Sequence, residues 1–61
     1  MELSTKEILK KKILDAQEMV RDYEVYSKEI EDVEIAKAFK DFAEECGYQA
    51  SNMQKILEEK D

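Results

Sequence analysis

A chain of 61 residues and 7.2 kDa holds one small domain at most. Ten Lys/Arg against sixteen Asp/Glu give a net charge of −6, which repels phosphate backbones and argues against a nucleic-acid partner. A single cysteine, Cys46, excludes a disulfide-stapled mini-protein. The absence of histidine excludes a His-ligated metal or haem site within the chain and a His-based catalytic triad.

No apolar run approaches the ~20 residues that span a bilayer. The opening Met1-Glu2-Leu3-Ser4-Thr5-Lys6-Glu7 lacks the basic-then-apolar order of a secretory signal. The reading that follows is a soluble, cytoplasmic protein without a membrane span. The basic run Lys10–Lys12 could meet an anionic partner or lipid, but it reads more simply as a solvated helix face.

Glu, Lys, Ala, Leu, Met and Gln dominate, Pro is absent, and the one Gly is Gly47. These residues lose little rotamer freedom in a helix, so helix is the default. Ser4-Thr5-Lys6-Glu7 has the form of a capping box, with Ser4 accepting from the Glu7 N–H and Glu7 reaching back to the Ser4 N–H. A first helix over about 5–29 follows. Its apolar row is Leu9, Ile13, Ala16, Val20, Tyr23 and Ile30, with Ser27 in the skipped position. Met19, Tyr26 and Val33 form a neighbouring row at intervals of seven.

The pattern changes phase at about 30–32. Asp32 is suited to cap a second helix, and Glu34 to sit at its positive end. That helix, over about 33–59, carries Ile35, Phe39, Phe42, Cys46, Gln49, Met53 and Ile56 in alternating steps of four and three. Ala36, Ala43, Ala50 and Leu57 run beside them at strict sevens. The terminal Glu58–Asp61 is expected to fray.

A turn of a few residues forces two such helices antiparallel. Counting outward from it sets Tyr23 beside Phe39 and Val20 beside Phe42 and Ala43. Ile13 and Ala16 then fall beside Cys46, Gln49 and Ala50. The apolar surface is broader than one helix pair covers, and chains of about 60 residues are marginal already. The predicted fold is therefore all-α: an antiparallel two-helix hairpin that dimerises into a four-helix bundle. The shared core stripe is Ile13, Val20, Tyr23, Phe39, Phe42, Met53, Ile56 and Leu57. A homodimer is the economical assembly, and another helical protein is the other way to cover the stripe.

The order of these features resembles the rubrerythrin-like branch of the ferritin-like superfamily. Tyr23 and Tyr26 precede an acidic turn, then Ile35-Ala36-Lys37-Ala38-Phe39, then Phe42-Ala43-Glu44-Glu45-Cys46-Gly47-Tyr48-Gln49-Ala50. The resemblance covers about residues 16–57, one hairpin half of the family's bundle. It implies a ferritin-like fold, and in metal-binding members a Glu-x-x-His pair on the second helix. Here Cys46 and Gln49 stand at those degenerate ligand positions. The facing positions of the first helix are Ile13, Ala16 and Val20, so no hard anionic donor set is present. The expectation is a half-bundle with no cofactor, no metal and no catalytic residues, serving as an assembly or interaction module. Two alternatives stay open. One is a rubrerythrin-like metal-binding oxidase or iron-handling protein that uses intersubunit carboxylates. The other is a regulatory hairpin docked on a larger partner.

Individual residues carry paired readings. Cys46 could be a redox thiol, but lying mid-helix beside Glu44 and Glu45 it reads as a small buried hydrophobe. Ser27 and Gln49 read as polar register markers in apolar rows. Gly47 reads as a site of close helix approach. Tyr48, off the main rows, is a candidate surface contact. The acidic row Asp15, Glu18, Asp22 and Glu29 reads as a solvated face.

Overall fold

The computed structural model describes residues 3–60. It contains two helices, α1 (Thr5–Glu29) and α2 (Val33–Glu59), packed antiparallel as a hairpin. The helices fall where the capping and periodicity signals set them. At the start of α1 the Glu7 N–H donates to Ser4 Oγ at 3.1 Å. The reciprocal contact differs from the expected one. The Glu7 carboxylate meets the Ser4 hydroxyl, which donates to Oε1 at 3.1 Å. At the start of α2, Asp32 Oδ1 accepts from the N–H groups of Glu34 (3.0 Å) and Ile35 (3.2 Å). This satisfies two donors that a helix start leaves without an intrahelical partner.

The turn uses no glycine. Ile30 ends α1 in extended backbone (φ −77°, ψ 124°) while its N–H still donates to Tyr26 O at 3.0 Å. Asp32 is extended as well (φ −68°, ψ 116°). Two extended residues reverse the chain, and no described residue has a positive φ. This accounts for the scarcity of turn residues in the sequence. Val33 begins α2 and is largely exposed. It therefore does not extend the Met19–Tyr26 row as the heptad spacing suggested.

The seam between the helices is built from small side chains. Ile13, Ala16 and Ser27 of α1 and Ala43, Cys46 and Ala50 of α2 are buried, and among the described residues no large side chain is fully enclosed. The Ser27 hydroxyl donates to the Glu24 carbonyl one turn back at 2.8 Å, so a buried polar group is satisfied within its own helix. At the turn end the seam widens to hold three rings. Tyr23 lies 5.2 Å from Phe39 (interplanar angle 79°) and 5.5 Å from Phe42, centroid to centroid. Such edge-on and tilted contacts suit the ring quadrupoles.

The molecule is one layer thick. Its extents are 43 × 25 × 12 Å, and its radius of gyration is 14.1 Å, against about 10.5 Å for a compact chain of this length. Its accessible surface is 5209 Å², against about 4,100 Å² for a globular monomer of this mass. Domains are ordinarily closed by packing two layers over one core; this hairpin supplies one.

The double acceptor at Asp32 defines the α2 start more firmly than any other contact near the turn. Asp32→Ala is expected to cost about 1 kcal/mol, read as a lowered midpoint in urea unfolding followed by circular dichroism. An unchanged midpoint would remove Asp32 from the account of where α2 begins.

Candidate self-association surface

The two sides of the layer differ in chemistry. On one side the groove between the helices has Val20, Gly47 and Ala50 beside a polar border of Gln17, Arg21, Glu24, Ser51, Gln54, Lys55 and Glu58. On the other side the groove is lined by Ala16, Met19, Gln49 and Met53, with Lys12, Asp15 and Asn52 at its edge. This second side carries a column at strict sevens along α2: Ile35, Phe42, Gln49 and Ile56. Positions seven apart drift by only ~20° on a helix, so the column stays on one flank. Met19 and Tyr26, seven apart, and Ile8, three turns before Met19, occupy the corresponding flank of α1.

These side chains are open to solvent. Ile35 is 47% exposed, Phe42 40%, Ile56 44%, Met19 44% and Tyr26 52%. Scattered exposed hydrophobes are normal on a small protein; a face of them running the length of both helices is not.

The stripe read from the sequence therefore divides. Ile13 is buried, and Val20, Tyr23, Phe39, Met53 and Leu57 are half-buried. Phe42 and Ile56 belong to the open face. Ile13 shares a groove with Gln54 and Leu57, so it sits nearer the open end of the hairpin than its expected place beside Cys46 and Gln49. Tyr23 beside Phe39 is as the counting from the turn predicts. Ile8 was missed because it lies outside the main row of α1, although its spacing to Met19 carries the signal. Tyr48 projects from the back of α2 and is mostly exposed.

The two positions that the ferritin-like resemblance would assign to ligands, Cys46 and Gln49, differ in their surroundings. Cys46 is buried in the seam, whereas Gln49 is exposed on the flank. The buried α1 side chains across the seam are Ile13 and Ala16. A thiol and an outward amide opposite hydrocarbon do not fit a pair of iron ions, which need carboxylate oxygen and imidazole donors. Among the described residues no group of three or more His, Cys, Asp or Glu side chains is placed to hold a metal ion.

Of the acidic row, Asp15 is engaged within its own helix. Its carboxylate accepts from Lys11 Nζ at 3.2 Å and lies 3.5 Å from Lys12 Nζ. The hydrogen bond from Lys11, aided by the charges of Lys11 and Lys12, outweighs an opposing desolvation and holds the Asp15 carboxyl below its ordinary value of 3.8. The associated stabilisation is present above that ordinary value and is lost as pH falls through the lowered one.

Gly47 is half-buried beside Val20, but a Cβ built on it would meet Val20 Cγ2 at 4.0 Å. That is ordinary van der Waals contact. The hairpin does not need glycine for close helix approach, contrary to the sequence reading.

Comparison of the chain with family models, with curated proteins and with solved structures found no match. Among the described residues no helix is long and apolar enough to cross a membrane.

Removing the backbone freedom of a mid-helix glycine where the side chain has room is stabilising. Gly47→Ala is expected to raise stability by about 0.5–1 kcal/mol, read as a higher denaturation midpoint with the oligomeric state unchanged. A lowered midpoint would show that something besides Val20 occupies the space.

Proposed function

We propose that this chain is a self-associating helical hairpin whose role is assembly or interaction rather than catalysis. In this reading two copies close a four-helix bundle of ferritin-like type without di-iron ligands, acting in the cytoplasm. The observation that carries it is the set of exposed hydrophobes Ile8, Met19, Tyr26, Ile35, Phe42 and Ile56 along one side of a molecule only one layer thick.

The areas support a second copy as the occupant. The surface in excess of a compact monomer is about 1,100 Å² per chain. One side of a standard protein interface buries about 800 Å². A single partner of the same size therefore suffices to cover it. At about 25 cal/mol per Å², covering even 200 Å² of apolar surface yields about 5 kcal/mol before association costs. That is comparable with the whole stability of a small domain.

Gln49 fits the same reading. It interrupts the column Ile35–Phe42–Ile56, and a polar residue in an otherwise apolar column restricts register and oligomer size at some cost in stability. Cys46, enclosed in the seam, behaves as a small hydrophobe.

Native mass spectrometry, which counts chains and bound ions together, is expected to show a metal-free dimer. Phe42 touches Tyr23 on its inner side and faces the second copy on its outer side. Phe42→Asp is expected to give a monomer with most of its helical circular dichroism lost. A wild-type chain that sediments as a monomer at high concentration and still melts cooperatively would overturn the proposal. Stoichiometric iron or manganese, with stability lost on chelation, would replace it with a metal-handling role.

A further inference from the structure

The side of the layer away from the open apolar face carries the larger groove. At its widest it holds about 720 Å³, against about 340 Å³ for the groove beside Met19 and Met53. It is one trough along the hairpin. Val20, Glu24 and Gly47 belong both to its turn-end stretch and to its middle, and Gln17 and Gln54 join the middle to the open end. There Leu57 leads on to Lys6 and Lys10. From Lys40 to Glu58 the trough follows about 27 Å of α2, or about five helical turns.

Charge is segregated into it. Its walls hold five of the ten cations, Lys6, Lys10, Arg21, Lys40 and Lys55, but only three of the sixteen acidic side chains, Glu24, Glu44 and Glu58. The trough is thus +2 on a chain of −6, and everything outside it carries −8. This excess is not used up within the chain. Among the described residues Lys10, Arg21, Lys40 and Lys55 form no ion pair, although three carboxylates share the trough with them. Lys11 and Lys12, which Asp15 engages, are not part of its lining.

The floor is low and apolar. Ala43 and Ala50 are buried, and Val20 and Gly47 are half-buried between them. A Cβ on Gly47 would meet only Val20 Cγ2, at 4.0 Å. A helix laid along two others sets its large side chains among theirs at steps of three and four. Ala43, Gly47 and Ala50 follow those steps and leave room for them. Arg21 stands on the α1 wall and Lys55 on the α2 wall.

We propose that this trough docks a third helix, supplied by an acidic partner protein. That helix carries Leu- or Ile-sized residues along its inner edge and Glu or Asp on both flanks, where the unpaired cations meet them. A phosphate polymer does not suit the site, since the floor offers phosphates no donor and Glu24, Glu44 and Glu58 repel them. The trough faces away from the open apolar face, so docking does not rest on the self-association reading.

The test uses a labelled synthetic helix of about three heptads, with Leu at a and d and Glu at e and g, and a counterpart with Lys at e and g, both read by fluorescence anisotropy. The Glu-flanked peptide is expected to bind at least about tenfold more tightly than the Lys-flanked one, and less tightly as salt rises. Arg21→Glu combined with Lys55→Glu is expected to reverse that preference. Gly47→Leu lays a side chain over the floor and favours helix over glycine. It is expected to weaken binding by about tenfold or more, with helical circular dichroism and oligomeric mass unchanged. Equal binding of the two peptides, no binding of either, or binding that survives Gly47→Leu would overturn the proposal. So would capture of phosphatidylserine vesicles in place of the peptide. Assemblies larger than a dimer that Gly47→Leu breaks up would seat a second copy in the trough and overturn it too. A monomeric wild-type chain that binds the Glu-flanked peptide would fail the self-association reading alone.

Discussion

One constraint governs this molecule: two helices make a single layer, and a single layer has only its seam to bury. Alanines, a cysteine and one isoleucine fill that seam, and they let the helices lie close. The larger side chains have nowhere to go but the flanks. The excess surface, the flattened shape and the open row from Ile35 to Ile56 are three expressions of this limit. The two broad sides then diverge in chemistry, one lined by Gln17, Arg21, Glu24 and Ser51, the other by Met19, Phe42 and Met53.

The local structure is well provided for despite this. Both helix starts have side-chain caps, the α1 end keeps its last backbone hydrogen bond to Tyr26, and the buried Ser27 hydroxyl is satisfied one turn back. The helices are thus consistent with their own sequences and do not depend on unusual backbone. What is underdetermined is tertiary. Helices draw most of their stability from packing an amphipathic face, and here a good part of that face has no intramolecular counterpart.

The helix bounds were legible because they rest on local chemistry: Ser4 with Glu7, Asp32 with Glu34, and apolar steps of three and four. The Tyr23–Phe39 contact was legible because a short turn leaves little freedom in the count outward from it. The division of the apolar residues between seam and open face was not legible. Ile35, Phe42 and Ile56 occupy a column next to Ala36, Ala43, Ala50 and Leu57, and both columns look like core to a periodicity argument. Only the rotation of one helix against the other decides which is inside. Small residues won the seam because they allow close approach, and that left the bulky column on the flank. Val33 shows the reverse error, where exact heptad spacing bridged a turn that breaks the helix. Gly47 was misread because a small residue near a seam suggests tight packing, whereas the distance to Val20 shows room for a methyl group.

The ferritin-like resemblance rests on helix order and on a few residues of the sequence alone. The positions that would carry ligands diverge, with Cys46 inward and Gln49 outward.

The polar groove on the back of the layer has a consequence for growth. In the proposed pair both hydrocarbon faces are consumed, and the two outward sides present amides, serines and mixed charge, with each chain contributing a formal −6. Leu14, Val25 and Tyr48 stay exposed away from the paired faces, and mutual repulsion of the acidic chains opposes stacking. The same asymmetry that leaves one hairpin incomplete would thus terminate the assembly at two, as a closed particle instead of a fibre.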